Sequence, residues 1–217
     1  MTNDADSASE TQSPAPLPSE PAAAVAGNLP TLRITAEHVR DGNYVGPDVS
    51  SWGGDIEIEA NLGWVRFANI AATGSILVLP GSAIEAGYSI EAGYSIEAGG
   101  SIEAGISIKA GISIKAGGSI KAGGSIKAGI SIKAGDWIKA GGSIEAGGSI
   151  KAGRSIEAAL WIRCKFLNVR LRIFAGLVSW RMPLPGEDEI HGELRCGTIA
   201  LGKHMPPAGE SAPLTAA

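Results

Sequence analysis

Between Ser82 and Ala158 one phrase, Ala-Gly-x-Ser-Ile-Glu/Lys, repeats almost without error. Isoleucine falls at every sixth position from Ile84 to Ile156, and an alanine follows each two places later. A fixed short period of this kind marks a solenoid, a chain wound into stacked near-identical units. Within Ser-Ile-Glu/Lys-Ala the polarity alternates, which is the period of a β-strand: Ile and Ala share one face, Ser and Glu or Lys the other. A helix is excluded, because a six-residue spacing drifts around a 3.6-residue turn. Gly plus one variable residue then breaks each strand, and that Gly is expected to take the backbone angles of a tight corner.

The variable residue sets the size of one coil. Taken in triplets it reads Tyr88, Tyr94, Gly100, then Ile106, Ile112, Gly118, then Gly124, Ile130, Asp136. Recurrence of the form at every third corner predicts three six-residue sides, or about 18 residues per coil. Equivalent positions of successive coils then stack ~4.8 Å apart, as neighbouring strands do. The predicted fold is all-β, a three-sided single-stranded β-helix with disordered N- and C-terminal tails. Tyr94, Ile112 and Ile130 are expected to form one apolar corner ladder, and Asp136 to lie beneath Arg154.

Taken in order, residues 1–30 are rich in Ala, Pro, Ser and Thr with no apolar face, and disorder is expected there. Residues 31–53 read as an N-terminal cap with a first strand at residues 32–35 and Trp52 in its packing. Residues 54–181 read as the solenoid, with regular repeats over 82–158 and degenerate coils on either side. Leu77 and Leu79 are expected to lie under the N-terminal segment. Beyond Ala158, Ile162, Cys164 and Phe166 alternate with Arg163 and Lys165, and Val169, Leu171 and Ile173 with Arg170 and Arg172; two or three further strands are predicted. Residues 182–202 are expected to close the basic end, with a short strand near residues 193–200, and 203–217 to form a disordered tail.

The net charge of −4 conceals an asymmetry. Residues 1–103 hold 14 acids and three bases, whereas 104–181 hold 13 bases and three acids. A linear rod would then be acidic toward one end and basic toward the other. The two cysteines, Cys164 and Cys196, have no metal-ligand spacing, and no disulfide is assigned. There is no basic region followed by an apolar run, and no segment approaches the ~18 apolar residues of a membrane helix. The expectation is a cytoplasmic protein.

Candidate interaction residues follow from these patterns. Glu85, Glu91, Glu97 and Glu103 form the acidic rows, and Glu91, Glu97 and Glu103 are expected to stack on Lys109, Lys115 and Lys121. Arg163, Lys165, Arg170 and Arg172, with Arg181, form the basic, aromatic-flanked stretch, which either protects a strand edge or meets an anion; nucleic acid is the disfavoured partner. Tyr88, Tyr94, Ile112 and Ile130, with Ile106, stand at corners where they either cover glycine backbone or form an apolar patch. Gly197 to Lys203 nearly matches a phosphate loop, but His204 replaces the hydroxyl residue and Pro206 and Pro207 forbid the helix that follows such loops. His38, His191 and His204 fit no metal or nucleophile pattern. No catalytic, cofactor or metal residue is assigned. An ice-binding face is disfavoured, since every side carries Glu or Lys.

The repeat resembles six-residue β-solenoids generally, and bactofilin-type polymer-forming β-helices more closely, in its triangular coil and Pro-rich tail. It departs from hexapeptide acyltransferases, whose small residue precedes the aliphatic one by two; here Ala follows. The resemblance implies a non-enzymatic scaffold whose partner is itself, in a homo-oligomer or head-to-tail filament, or a host protein. The alternatives are a charged rod that blocks a nucleic-acid-handling protein and, disfavoured, an acyltransferase.

Overall fold

The computed structural model describes residues 29–178 and 181–207. They form a β-solenoid of about eight coils in which parallel strands stack on three sides. One side runs through Thr31–Ile34, Asp55–Ile58, Ile76–Val78, Ser95–Ala98, Ser113–Ala116, Ser131–Ala134 and Ser149–Ala152. The second runs from Gly63–Phe67 through Ser82–Ala86 and Ile102–Ala104 to Ile156–Ala158. The third runs from Ile70–Ala72 through Ser89–Ala92, Ser107–Ala110 and Ile126–Ala128 to Ile144–Ala146. One regular coil takes ~18 residues, and the pairs Ile96↔Ile114 and Ile102↔Ile120 fix its register. The expected disorder of residues 1–28 and 208–217 lies outside the described residues.

The interior is an apolar column. Every repeat isoleucine from Ile84 to Ile156 has no exposed surface, and the repeat alanines beside them are buried. Burying each isoleucine stabilises by about 1.5–3 kcal/mol, so the thin core gains its stability by repetition rather than by breadth. In the regular coils each strand buries one isoleucine and one alanine, whereas flanking strands bury two large side chains, as Ile56 with Ile58 and Leu167 with Val169.

The repeat glycines have a different cause from the one their corner position suggests. None of them adopts a positive φ; among the described glycines that conformation belongs to those outside the repeat, such as Gly42, Gly63 and Gly81. The constraint is close approach. A Cβ on Gly105, Gly111, Gly117 or Gly129 would run into the carbonyl oxygen of Gly87, Gly93, Gly99 or Gly111 respectively, the glycine one coil earlier. Each of these corners therefore packs backbone directly on backbone. The next residue's N–H also bonds back one coil, as in Ile112 to the Tyr94 carbonyl at 2.7 Å.

The ends differ from the repeats. Thr31–Ile34 pairs with Asp55–Ile58, and a short 3₁₀ turn at Ala36–His38 follows, then an antiparallel pairing of Val39–Arg40 with Asn43–Tyr44. The Tyr44 ring packs 4.9 Å from Phe67, and Trp52 bridges to Ala72. Leu77 is not covered as expected; it lies exposed between Glu57 and Glu97 on the outer face.

At the other end the short strands fuse. Ile162–Phe174 is one strand of 13 residues that pairs in turn with Ile144–Ala146, Ser149–Ala152 and Ile156–Ala158, rounding a coil without glycine corners. Ile150 pairs with Ile132 on one side and with Leu167 on the other, so this coil is one residue shorter than those before it; a corner residue is lost. The chain then makes an excursion and returns as Glu189–Leu201, again 13 residues, stacked on the strand before it. This is a further coil in place of the short closing strand expected near residues 193–200. Lys203–Met205 pairs with residues 189–191 and so is ordered, against the expectation of a tail from residue 203.

Two substitutions separate close approach from a mere corner preference. Gly111→Ala forces a methyl against the Gly93 carbonyl and is expected to destabilise by about 1–3 kcal/mol. At Gly87 the nearest atom to an added Cβ is 3.6 Å away, so Gly87→Ala is expected to be neutral or stabilising by up to about 1 kcal/mol. Urea unfolding of the two variants measures the difference.

Candidate interaction surfaces

The outward residues form columns along the rod. Opposite charges meet in several: Glu97 with Lys115, Glu103 with Lys121 at 3.3 Å, Lys127 with Glu145 at 3.0 Å and Lys139 with Glu157 at 3.1 Å. Glu85 is held by Arg66 at 3.0 Å and stacks on Glu103. These pairs are well exposed, so each contributes at most about 1 kcal/mol. Like charges also stack, at Lys109↔Lys127, Lys115↔Lys133 and Lys133↔Lys151. Serine hydroxyls add a second ladder, with Ser89 to Ser107 and Ser95 to Ser113 both at 3.0 Å.

One opposite pair stands apart. Glu91 and Lys109 are in register, yet neither makes an ion pair among the described residues. The third side around them is bounded by two exposed apolar ridges. Tyr88 and Ile106 stack at the corner entering that side, exposed by 61% and 53%. Tyr94, Ile112 and Ile130 form the predicted ladder at the corner leaving it, joined by backbone bonds of 2.7 Å. An open depression of about 350 Å³ lies on the same side, lined by Trp52, Thr73, Glu91 and Lys109 among others.

The structure does not place the acidic and basic rows at the rod's ends. Glu85, Glu91, Glu97 and Glu103 sit on interior coils, with strands stacked on both sides of them. Arg163, Lys165, Arg170 and Arg172 belong to Ile162–Phe174, whose outer edge is covered by Glu189–Leu201. That last coil pairs most of its charges internally: Glu193 pairs with Arg195 at 3.1 Å and Asp188 with Lys203 at 3.4 Å, while the His191 ring hydrogen-bonds Glu189 at 2.7 Å. Arg163 stacks on the Trp161 ring at 4.4 Å, and Arg195 on Phe166 at 3.6 Å. Lys133, Lys151, Arg154, Lys165, Arg170 and Arg172 carry no ion pair among the described residues and are exposed. Asp136 lies one coil below Arg154, as expected, through the Arg154 N–H to Asp136 carbonyl bond of 2.7 Å.

The last coil's edge has its own character. Among the described residues, 193–201 pair with Ile162–Phe174 on one side only, and Lys203–Met205 covers just the part of the outer edge at residues 189–191. Leu194 and Ile199 remain partly exposed at the end of the core.

Two features carry no clear signal in the sequence. A cleft of about 520 Å³ opens beside Cys164, Phe166, His191 and Met205. Burial pushes the Cys164 thiol up to about 12, so it stays protonated and is no nucleophile at neutral pH. Cys164 and Cys196 are both free thiols. In the excursion, Glu187 takes a two-pronged bond from Arg181 and a further one from the Leu184 N–H at 2.7 Å. Proline and glycine there signal only a turn, since the pairing partner is specified by the turn's closure.

Among the described residues no cluster of His, Cys, Asp or Glu has metal-binding geometry, and no helix is long and apolar enough to cross a membrane. No family model, curated protein or solved structure matches this chain.

The Arg181 hydrogen bonds, then the Leu184 N–H, hold the Glu187 carboxyl down to about 2. A depressed carboxylate pKa contributes stability above its ordinary range, and that contribution is lost as pH falls through about 2. The Leu184 amide resonance is therefore expected to titrate near pH 2, and Arg181→Ala to move its midpoint up toward the usual carboxylate range.

Proposed function

We propose that this chain is a non-catalytic β-solenoid scaffold that associates end to end with further copies of itself, in the manner of the bactofilin-type polymers its repeat resembles. The observation that carries the reading is the strand edge at residues 193–201, open among the described residues, with Leu194 and Ile199 partly exposed at the end of the core. An unpaired edge on a parallel stack is a template for another strand. Thr31–Ile34, at the opposite end of the side that carries Leu194, is likewise paired only with Asp55–Ile58 among the described residues. A second copy stacked there would extend the parallel register.

Charge plays a smaller part in this reading than the sequence implies. The acidic and basic rows lie on interior coils, and the final coil is largely self-paired, so attraction between ends is weak beyond a Debye length of ~10 Å. Association driven by strand edges is expected to depend little on salt.

A second reading has one observation behind it: the unpaired cations from Lys133 to Arg172 fit an anionic partner. The separate alternative, a charged rod whose Glu rows block a nucleic-acid-handling protein, is weakened because Glu85, Glu97 and Glu103 are each engaged by a neighbouring cation.

Electron microscopy and light scattering of the full chain test the first reading. Rods of many coils are expected for the unaltered protein, and single short particles for Leu194→Lys/Ile199→Lys, with unfolding midpoints to confirm that the variant is folded. A wild-type protein that stays a single short particle at high concentration sinks the proposal.

A further inference from the structure

We propose that the third side is a lateral docking surface for a second copy, packed antiparallel about a two-fold axis that runs along the strands midway between Ser89–Ala92 and Ser107–Ala110. This goes beyond end-to-end stacking and uses neither of the strand edges at the ends.

Three columns cross that axis, and each is self-complementary. The axis places any residue of the earlier strand opposite the equivalent residue of the later strand in the partner copy. Glu91 of one copy then faces Lys109 of the other, and Lys109 faces Glu91. These two are in register within one chain but make no ion pair there. On one ridge Tyr88 meets Ile106 across the axis, and on the other Tyr94 meets Ile112, so aromatic faces aliphatic on both. All four are substantially exposed in the single chain.

The next residue on the second ridge extends the match. Ile130, exposed by 58%, is one coil beyond Ile112, and the axis carries it over the coil of Ala71 to Thr73. The depression of about 350 Å³ lies there, with Trp52 in its wall. The alternative two-fold axis, along the rod, sets Glu91 against Glu91 and Lys109 against Lys109 and is disfavoured by like-charge repulsion.

The surface is small. A side of five or six residues over four or five coils covers roughly 400 Å² per copy by strand dimensions. A durable interface buries about 800 Å² per partner, so a weak, concentration-dependent dimer is expected. Where rods also stack end to end, many such contacts act together.

Charge reversal is the test. Sedimentation velocity of the full chain across a wide concentration range is expected to show reversible dimers. Glu91→Lys and Lys109→Glu, each alone, set like charges across the axis and are expected to weaken dimers by about ten-fold or more. The double variant Glu91→Lys/Lys109→Glu restores opposite charges and is expected to recover the wild-type association. Both positions point outward, and unfolding midpoints verify that the fold is intact. Single variants that dimerise like wild type, or a double variant no better than the singles, would overturn the proposal, as would a wild type with no self-association. If filaments form but are unpaired and indifferent to the swaps, the lateral surface fails while end-to-end stacking stands. Paired short particles that respond to the swaps mean the opposite: lateral docking stands and end-to-end stacking fails.

Discussion

The whole architecture depends on how closely one coil can lie on the next. At most regular corners a glycine presents bare backbone to the carbonyl of the glycine one coil earlier, with no space for a methyl group. That contact keeps the stacking distance equal on all three sides, so the strands between corners stay in hydrogen-bonding register. The isoleucine column supplies most of the stabilisation, and the glycines set the geometry in which it can form. Each coil touches only its neighbours, so stability accumulates coil by coil along the rod.

What the sequence revealed followed directly from this one-dimensional order. Inward Ile and Ala, the three-sided register and the Tyr94–Ile112–Ile130 ladder are legible because each position repeats its environment. The reason for the glycines was not legible: a corner preference and a close approach select the same residue, and only the backbone conformation separates them. The last coils were harder for a different reason. Ile162 pairs with Ile190 across the Pro/Gly-rich excursion, which interrupts the six-residue period that reveals register elsewhere. Glu189–Leu201 therefore resembles a closing segment in sequence while forming a full coil in space.

The charged residues show a similar division. The 18-residue register foretells the Glu97–Lys115 and Glu103–Lys121 pairs, but a sum along the chain, which places acid before base, counts neither these nor Lys127–Glu145 and Lys139–Glu157. Nor does it show that a coil with most of its charges paired internally covers the basic stretch. What remains unpaired is more informative than the totals: Glu91 with Lys109 between two apolar ridges, and a set of cations from Lys133 to Arg172. Opposite charge serves mostly to hold coils together, and the residual pattern marks the surfaces with capacity left to bind.

If the coil is the unit of structure, removing one whole unit must leave the remainder intact. The decisive measurement is small-angle scattering with urea unfolding on a variant lacking residues 113–130, beside one lacking residues 113–121. The whole-coil deletion joins Ile112 to Ser131 and is expected to give a folded, cooperatively melting rod shorter by ~5 Å. The half-coil deletion breaks the side-to-side register and is expected to lose that cooperativity. Equal tolerance of both deletions, or collapse of the whole-coil variant, would contradict the account.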